Sequence, residues 1–247
     1  MQRISLLILV AMTFASVSFG QGFKDALKKA EKKLNEVTGQ GVALSEEEVG
    51  AGLKEALNLG VGKAVDFLSA EDGYYKSIYK ILLPEEAQAV TEKLKAVPGF
   101  ADVEQNLIEK MNRAAEDAAD KAKPIFVTAI KQMTIRDAMD ILLGEKDAAT
   151  NYLRNSTYDK LYDEFRPIII ESLDKVNARE YWRSAVTAYN KIPFVKKTNP
   201  ELDDHVTTTA LVGLFSLIQK KEEDIRGNQS SRTTDLLRKV FAEQDGR

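Results

Sequence analysis

The sequence predicts an all-α fold, a single multi-helix bundle, and three observations carry that prediction. Apolar residues recur at intervals of three and four along most of the chain, strand-like alternation is hard to find, and only 14 glycines and 6 prolines punctuate 247 residues. Because the chain has no cysteine, its stability must come from an apolar core, and its length is enough to build one.

Residues 1–20 read as an export signal. Arg3 gives the positive start, Ile4 to Phe14 the apolar stretch, and Ser18-Phe19-Gly20 a small-residue cleavage site ahead of Gln21. The stretch is well short of the roughly 20 apolar residues that span a bilayer, which favours cleavage over an anchor. The expected destination is the periplasm or cell envelope of a bacterium. Residues 21–44 follow as an amphipathic arm and loop: Phe23, Ala26, Leu27, Ala30, Leu34 and Val37 form one stripe of a helix over 23–37, and Gly39 and Gly41 mark the loop. That stripe suits pairing with a second copy, docking on its own domain, or peripheral contact with a membrane surface.

The helical domain is expected over 45–243. Ser45 and Glu48 have capping-box spacing, and a helix should run from there to about Leu68 with Val49, Leu53, Leu57, Val61 and Val65 inward. Gly52, Gly60 and Gly62 weaken it, which close helix packing would explain better than a ligand against the backbone. Residues 69–83 read as a turn and an aromatic, partly extended stretch, with Tyr74, Tyr75 and Tyr79 lidding the core and their hydroxyls at the water boundary. Pro84 opens the next helix and Pro98-Gly99 breaks the chain.

A helix over 100–123 carries the alanine face Ala114, Ala115, Ala118, Ala119 and Ala122, which admits a close neighbour. Pro124 restarts the helix to Met133, Thr134 caps Ile135 to Leu143, and Asp147 caps a helix over 148–155. Ser156 or Thr157 is expected to cap a further helix from Tyr158 towards Val176, with a kink or break near Phe165-Arg166 imposed by Pro167. A helix over 178–191 holds Trp182, a loop centres on Asn199-Pro200, and Asp203 or Asp204 starts a strongly apolar helix. After Gly227, a last helix puts Leu236, Leu237, Val240 and Phe241 on one side.

Several separate stretches, in order, resemble a known family. They are Leu53-Lys54-Glu55-Ala56-Leu57 with Gly60-Val61, Met111 to Glu116, and Ile130 to Thr134 with Asp137-Ala138. Ala148-Ala149-Thr150 with Tyr152 and Thr157, Leu202-Asp203-Asp204, and Arg232 to Leu237 complete the set. Over about Leu44 to Phe241 the chain resembles the bacterial proteins grouped as domain of unknown function 4197 (DUF 4197). The resemblance implies an exported, mostly helical protein and lends no catalytic residue.

Composition narrows the chemistry. Zero cysteines and one histidine leave no thiolate site and no multi-histidine metal centre, so neither a metal nor a cofactor is expected. Lysine and arginine number 35 against 38 acids, a net charge of -3 that argues against nucleic acid as a partner. His205 lacks the Gly-x-Ser-x-Gly turn that would accompany a catalytic triad. The polar residues that stand out are Asn112, Arg113 and Glu116, Thr134 with Asp137, Thr150, Arg154 and Thr157, and Arg232, Thr234 and Asp235. Thr134, Thr157 and Thr234 suit helix caps. Arg113, Arg154 and Arg232 suit convergence on an anionic group in one polar network, or structural ion pairs.

Two functions fit these residues. The first is a non-catalytic envelope binding or scaffold module for an apolar small molecule or a protein partner. The alternative is a carboxylate-dependent hydrolase, which would need two acids facing each other with one pKa raised.

Overall fold

The computed structural model describes residues 45–84, 87–88, 102–191, 193–194 and 197–242. The expected leader and the arm over 23–37 lie outside the described residues, as does the Pro98-Gly99 break. Among the described residues are eight α-helices and no strand. They are α1 (Glu46–Leu68), α2 (Val103–Ala119), α3 (Ala122–Gln132), α4 (Ile135–Leu143), α5 (Ala148–Asp174), α6 (Ala178–Tyr189), α7 (Leu202–Gly227) and α8 (Asp235–Phe241). None is long and apolar enough to cross a membrane.

Local signals mark four of the eight helix starts. Ser45 and Glu48 form the expected capping box, the Ser45 hydroxyl accepting from the Glu48 amide at 3.2 Å and the Glu48 carboxylate from the Ser45 amide at 2.8 Å. Thr134 and Asp137 do the same for α4, and the Thr234 hydroxyl accepts from the Leu237 amide to cap α8. Pro124 sits in the first turn of α3, where its missing donor costs nothing.

The core is centred on α5 and α7, the two longest helices, which pack along each other while α1 and α2 close over them. Leu153, Thr157, Leu161, Phe165, Ile169 and Leu173 form one buried stripe along α5. Phe215 of α7 meets Phe126 of α3 edge-on at 5.8 Å and stacks with Tyr158 of α5 at 6.4 Å. All five alanines of the small face are fully buried, and α2 packs against α5.

Three sequence expectations about α5 are corrected. Neither Ser156 nor Thr157 starts a helix, because α5 runs without interruption from Ala148 to Asp174 and the Thr157 hydroxyl donates back to the Leu153 carbonyl at 2.6 Å. Pro167 does not end the helix either. It lies on the exposed face, where a carbonyl that loses its amide partner meets water, while Phe165 and Ile169 continue the buried stripe. Asp147 makes no side-chain cap; that role falls to a residue 75 positions further on.

The glycines of α1 divide sharply. A Cβ on Gly52 would lie 2.6 Å from Val240 Cγ2 and 3.1 Å from Leu236 Cγ, so this glycine lets α8 approach. A Cβ on Gly62 would meet nothing within 4 Å, so close packing explains Gly52 and not Gly62. Chemical denaturation should therefore show opposite signs: Gly62→Ala stabilises by about 1 kcal/mol through helix propensity. Gly52→Ala destabilises by about 1–3 kcal/mol through overpacking. Two losses, or two gains, would contradict this packing.

Candidate functional site

Many of the polar side chains fasten backbone ends. Glu222 and Arg226 stand one turn apart on α7, the glutamate one turn N-terminal, and both are buried or nearly so. The Glu222 carboxylate accepts from the amides of Ala149 at 3.0 Å and Thr150 at 2.8 Å, and from the Thr150 hydroxyl at 2.8 Å. It thereby caps α5 in place of Asp147. Arg226 donates to Glu222 at 2.9 Å and to the carbonyls of Ile141 and Leu142 at 2.8 and 3.3 Å. An anion at the start of one helix and a cation at the end of the preceding one both complement the helix dipoles.

A second cluster ties the loop after α1 to α2. Asn112, fully buried, pairs with Ile81 as a neighbouring strand would. Its amide oxygen accepts from the Ile81 amide and its nitrogen donates to the Ile81 carbonyl, both at 2.8 Å. Glu116 accepts from the amides of Tyr74 and Tyr75 at 3.1 and 3.0 Å. Arg113 links Glu116 to Asp72, each at 2.7 Å, and lies over the Tyr75 ring. Hydrogen bonds from Lys76 and then Arg113 hold the Asp72 carboxyl below its ordinary pKa. Tyr74 corrects the lid expectation. Its ring is completely buried and its hydroxyl donates to the Ala210 carbonyl at 2.8 Å, against Gly213, where a Cβ would come within 3.1 Å of the ring. Burial, then the Glu116 charge, pushes its phenol far above the usual range.

A third cluster surrounds Asp203, whose side chain is 0% exposed. It sits in the first turn of α7, which begins at Leu202 with no side-chain cap, and accepts from Arg166 at 2.9 Å and Arg179 at 3.0 Å. Burial alone would raise its pKa, but the Arg166 hydrogen bond, its own backbone amide and the Arg179 charge leave it lowered. Next to it, Asp204 accepts from the Tyr162 hydroxyl at 2.6 Å, a bond that together with burial pushes the phenol up to about 12.

The three arginines expected to converge have separate partners. Arg113 belongs to the α2 cluster, while exposed Arg154 covers the Phe215 ring at 5.2 Å. Buried Arg232 donates to the carbonyls of Ile225 and Arg226 at the end of α7 and lies over Phe241. Asp235 pairs with Arg238 on the surface at 2.7 Å, and Asp137 is held below its ordinary pKa chiefly by the Thr134 amide. One polar network thus becomes several fasteners. Sequence reading missed Glu222, Arg226, Arg166 and Arg179. Only the Glu222 and Arg226 spacing offered a signal, and it did not name their backbone partners.

Two hollows accompany these clusters. A small pocket of about 20 Å³, lined by Leu53, Gly60, Ala149, Glu222, Arg226 and their neighbours, has room for a single water. A groove of about 370 Å³ opens between α2 and the α5–α6 turn, within the range of small-ligand sites. Leu107, Val176, Ala178 and Tyr181 give it apolar walls, and Asn106, Lys110 and Asn177 complete its lining. Asn177 turns the chain there with φ 53°, a left-handed conformation that asparagine tolerates at a helix end.

No curated protein and no solved structure matches the chain. A family model covers all of the described helices, in agreement with the motifs that run from α1 to α8. The chain belongs to the family described as protein of unknown function (DUF4197), whose model matches residues 43–242.

Proposed function

We propose that this is a non-catalytic binding module of the bacterial cell envelope, and that its ligand is a small apolar molecule with an acidic head, seated in the groove between α2 and α6. The groove carries the proposal: its volume suits such a molecule, its walls are apolar, and Lys110 offers a cation to an acid group. The sequence pattern of residues 1–20, which reads as an export signal, supports the envelope location. The hydrolase alternative draws no support from the buried acids. Glu116, Asp203 and Glu222 are each held by an arginine, and Asp203 has a lowered pKa where a general acid needs a raised one.

The test is titration with cis-parinaric acid, a fatty acid whose fluorescence rises in apolar surroundings. Saturable binding is expected, weakened about tenfold or more by Val176→Asp or Lys110→Glu, both at exposed positions. Absence of saturable binding, or parent-like affinity in both variants, would overturn the reading.

A further inference from the structure

The loop from Asn190 to Thr198, between α6 and α7, has a fixed base and an unusual tip. At the base, the Asn190 side chain donates to the Thr198 carbonyl and accepts from the Thr198 amide, both at 2.9 Å. Behind it, buried Trp182 donates its indole N–H to the Asn199 carbonyl, and Asn199 accepts from the Glu201 amide while donating to Asp204. These bonds pin the stem to α6 and to the first turn of α7.

The tip is Phe194, 108% exposed, with φ 65°. An aromatic residue rarely adopts that backbone, and among the described residues nothing covers the ring. In sequence, the apolar run Ile192-Pro193-Phe194-Val195 lies between Lys191 and the pair Lys196-Lys197. The segment 190–198 therefore has three lysines and no acid, in a chain whose net charge is -3.

We infer that this loop is a membrane-surface anchor for anionic lipid: Phe194 enters the boundary between headgroups and acyl chains, and Lys191 and Lys197 on either side of it meet the lipid phosphates. The charge pattern selects this occupant. An aromatic side chain with a polar rim suits many surfaces, but like charges flanking an exposed aromatic ring complement a sheet of anionic headgroups. A rigid stem also limits the entropy lost when the tip inserts. The inference is independent of the groove, which lies against α2, so either can fail alone.

Sedimentation with vesicles tests it, using protein expressed as the full chain. Binding is expected to mixed phosphatidylglycerol and phosphatidylcholine vesicles, weaker binding to phosphatidylcholine alone, and release by salt. Phe194→Asp should weaken partition about tenfold or more. The double change Lys191→Glu with Lys197→Glu should do as much and abolish the salt dependence. All three positions are exposed, so melting midpoints should match the parent's. The inference fails if the parent does not bind anionic vesicles, or if Phe194→Asp binds as tightly as the parent, which would place membrane contact elsewhere, as in the 23–37 arm. It fails equally if the loop engages an acidic protein and ignores lipid.

Discussion

Glu222→Ala is expected to lower the unfolding free energy by about 3–5 kcal/mol, a large share of what holds a domain of this size together. The substitution leaves Arg226 as a buried charge without its carboxylate, and it leaves the amides of Ala149 and Thr150 without their acceptor. Glu222→Gln keeps an acceptor but loses the charge, so it should fall between the parent and the alanine variant. Urea denaturation checks the order. An alanine variant as stable as the parent would mean that α4 and α5 are joined by other means.

Asp203→Ala is the second large effect, at about 3 kcal/mol. Its carboxylate is fully buried, while Arg166 is 42% exposed and able to turn to water, which puts the cost near the lower end for a broken buried pair. The same residue predicts a pH dependence. Its folded pKa is lowered, so its contribution is complete above the unfolded value of about 4 and is lost as pH falls below that towards the folded value. Urea midpoints at pH 7 and pH 3 should therefore drop more in the parent than in Asp203→Asn, which has no charge to lose. Equal drops would remove Asp203 from the acid response.

What the sequence disclosed was mostly local. Ser45 with Glu48 and Thr134 with Asp137 announce helix starts because partner and backbone lie within four residues. The alanine face of α2 was legible because period alone places it inward. Thr157 misled because a hydroxyl that caps a helix and one that bonds back to the fourth carbonyl before it look the same as letters. Pro167 misled because only the fold shows that its carbonyl partner faces water. The long-range fasteners were not legible at all. Glu222 bonds to residues 72 and 73 positions away, and Asn112 to one 31 away, pairings that exist only once α5, α7 and the aromatic loop are packed. The groove was equally hidden, since α2 and the α5–α6 turn meet only in the fold.

The central claim is that the buried polar residues of this protein fasten helix ends and that, as proposed, the surface groove does the binding. Melting temperature and cis-parinaric acid affinity measured on the same variants test it most directly. Glu222→Ala should melt about 10 °C or more below the parent, yet bind with the parent's affinity at temperatures where it is folded. Val176→Asp should melt with the parent and lose affinity. A Glu222→Ala protein that melts like the parent and no longer binds would contradict the account.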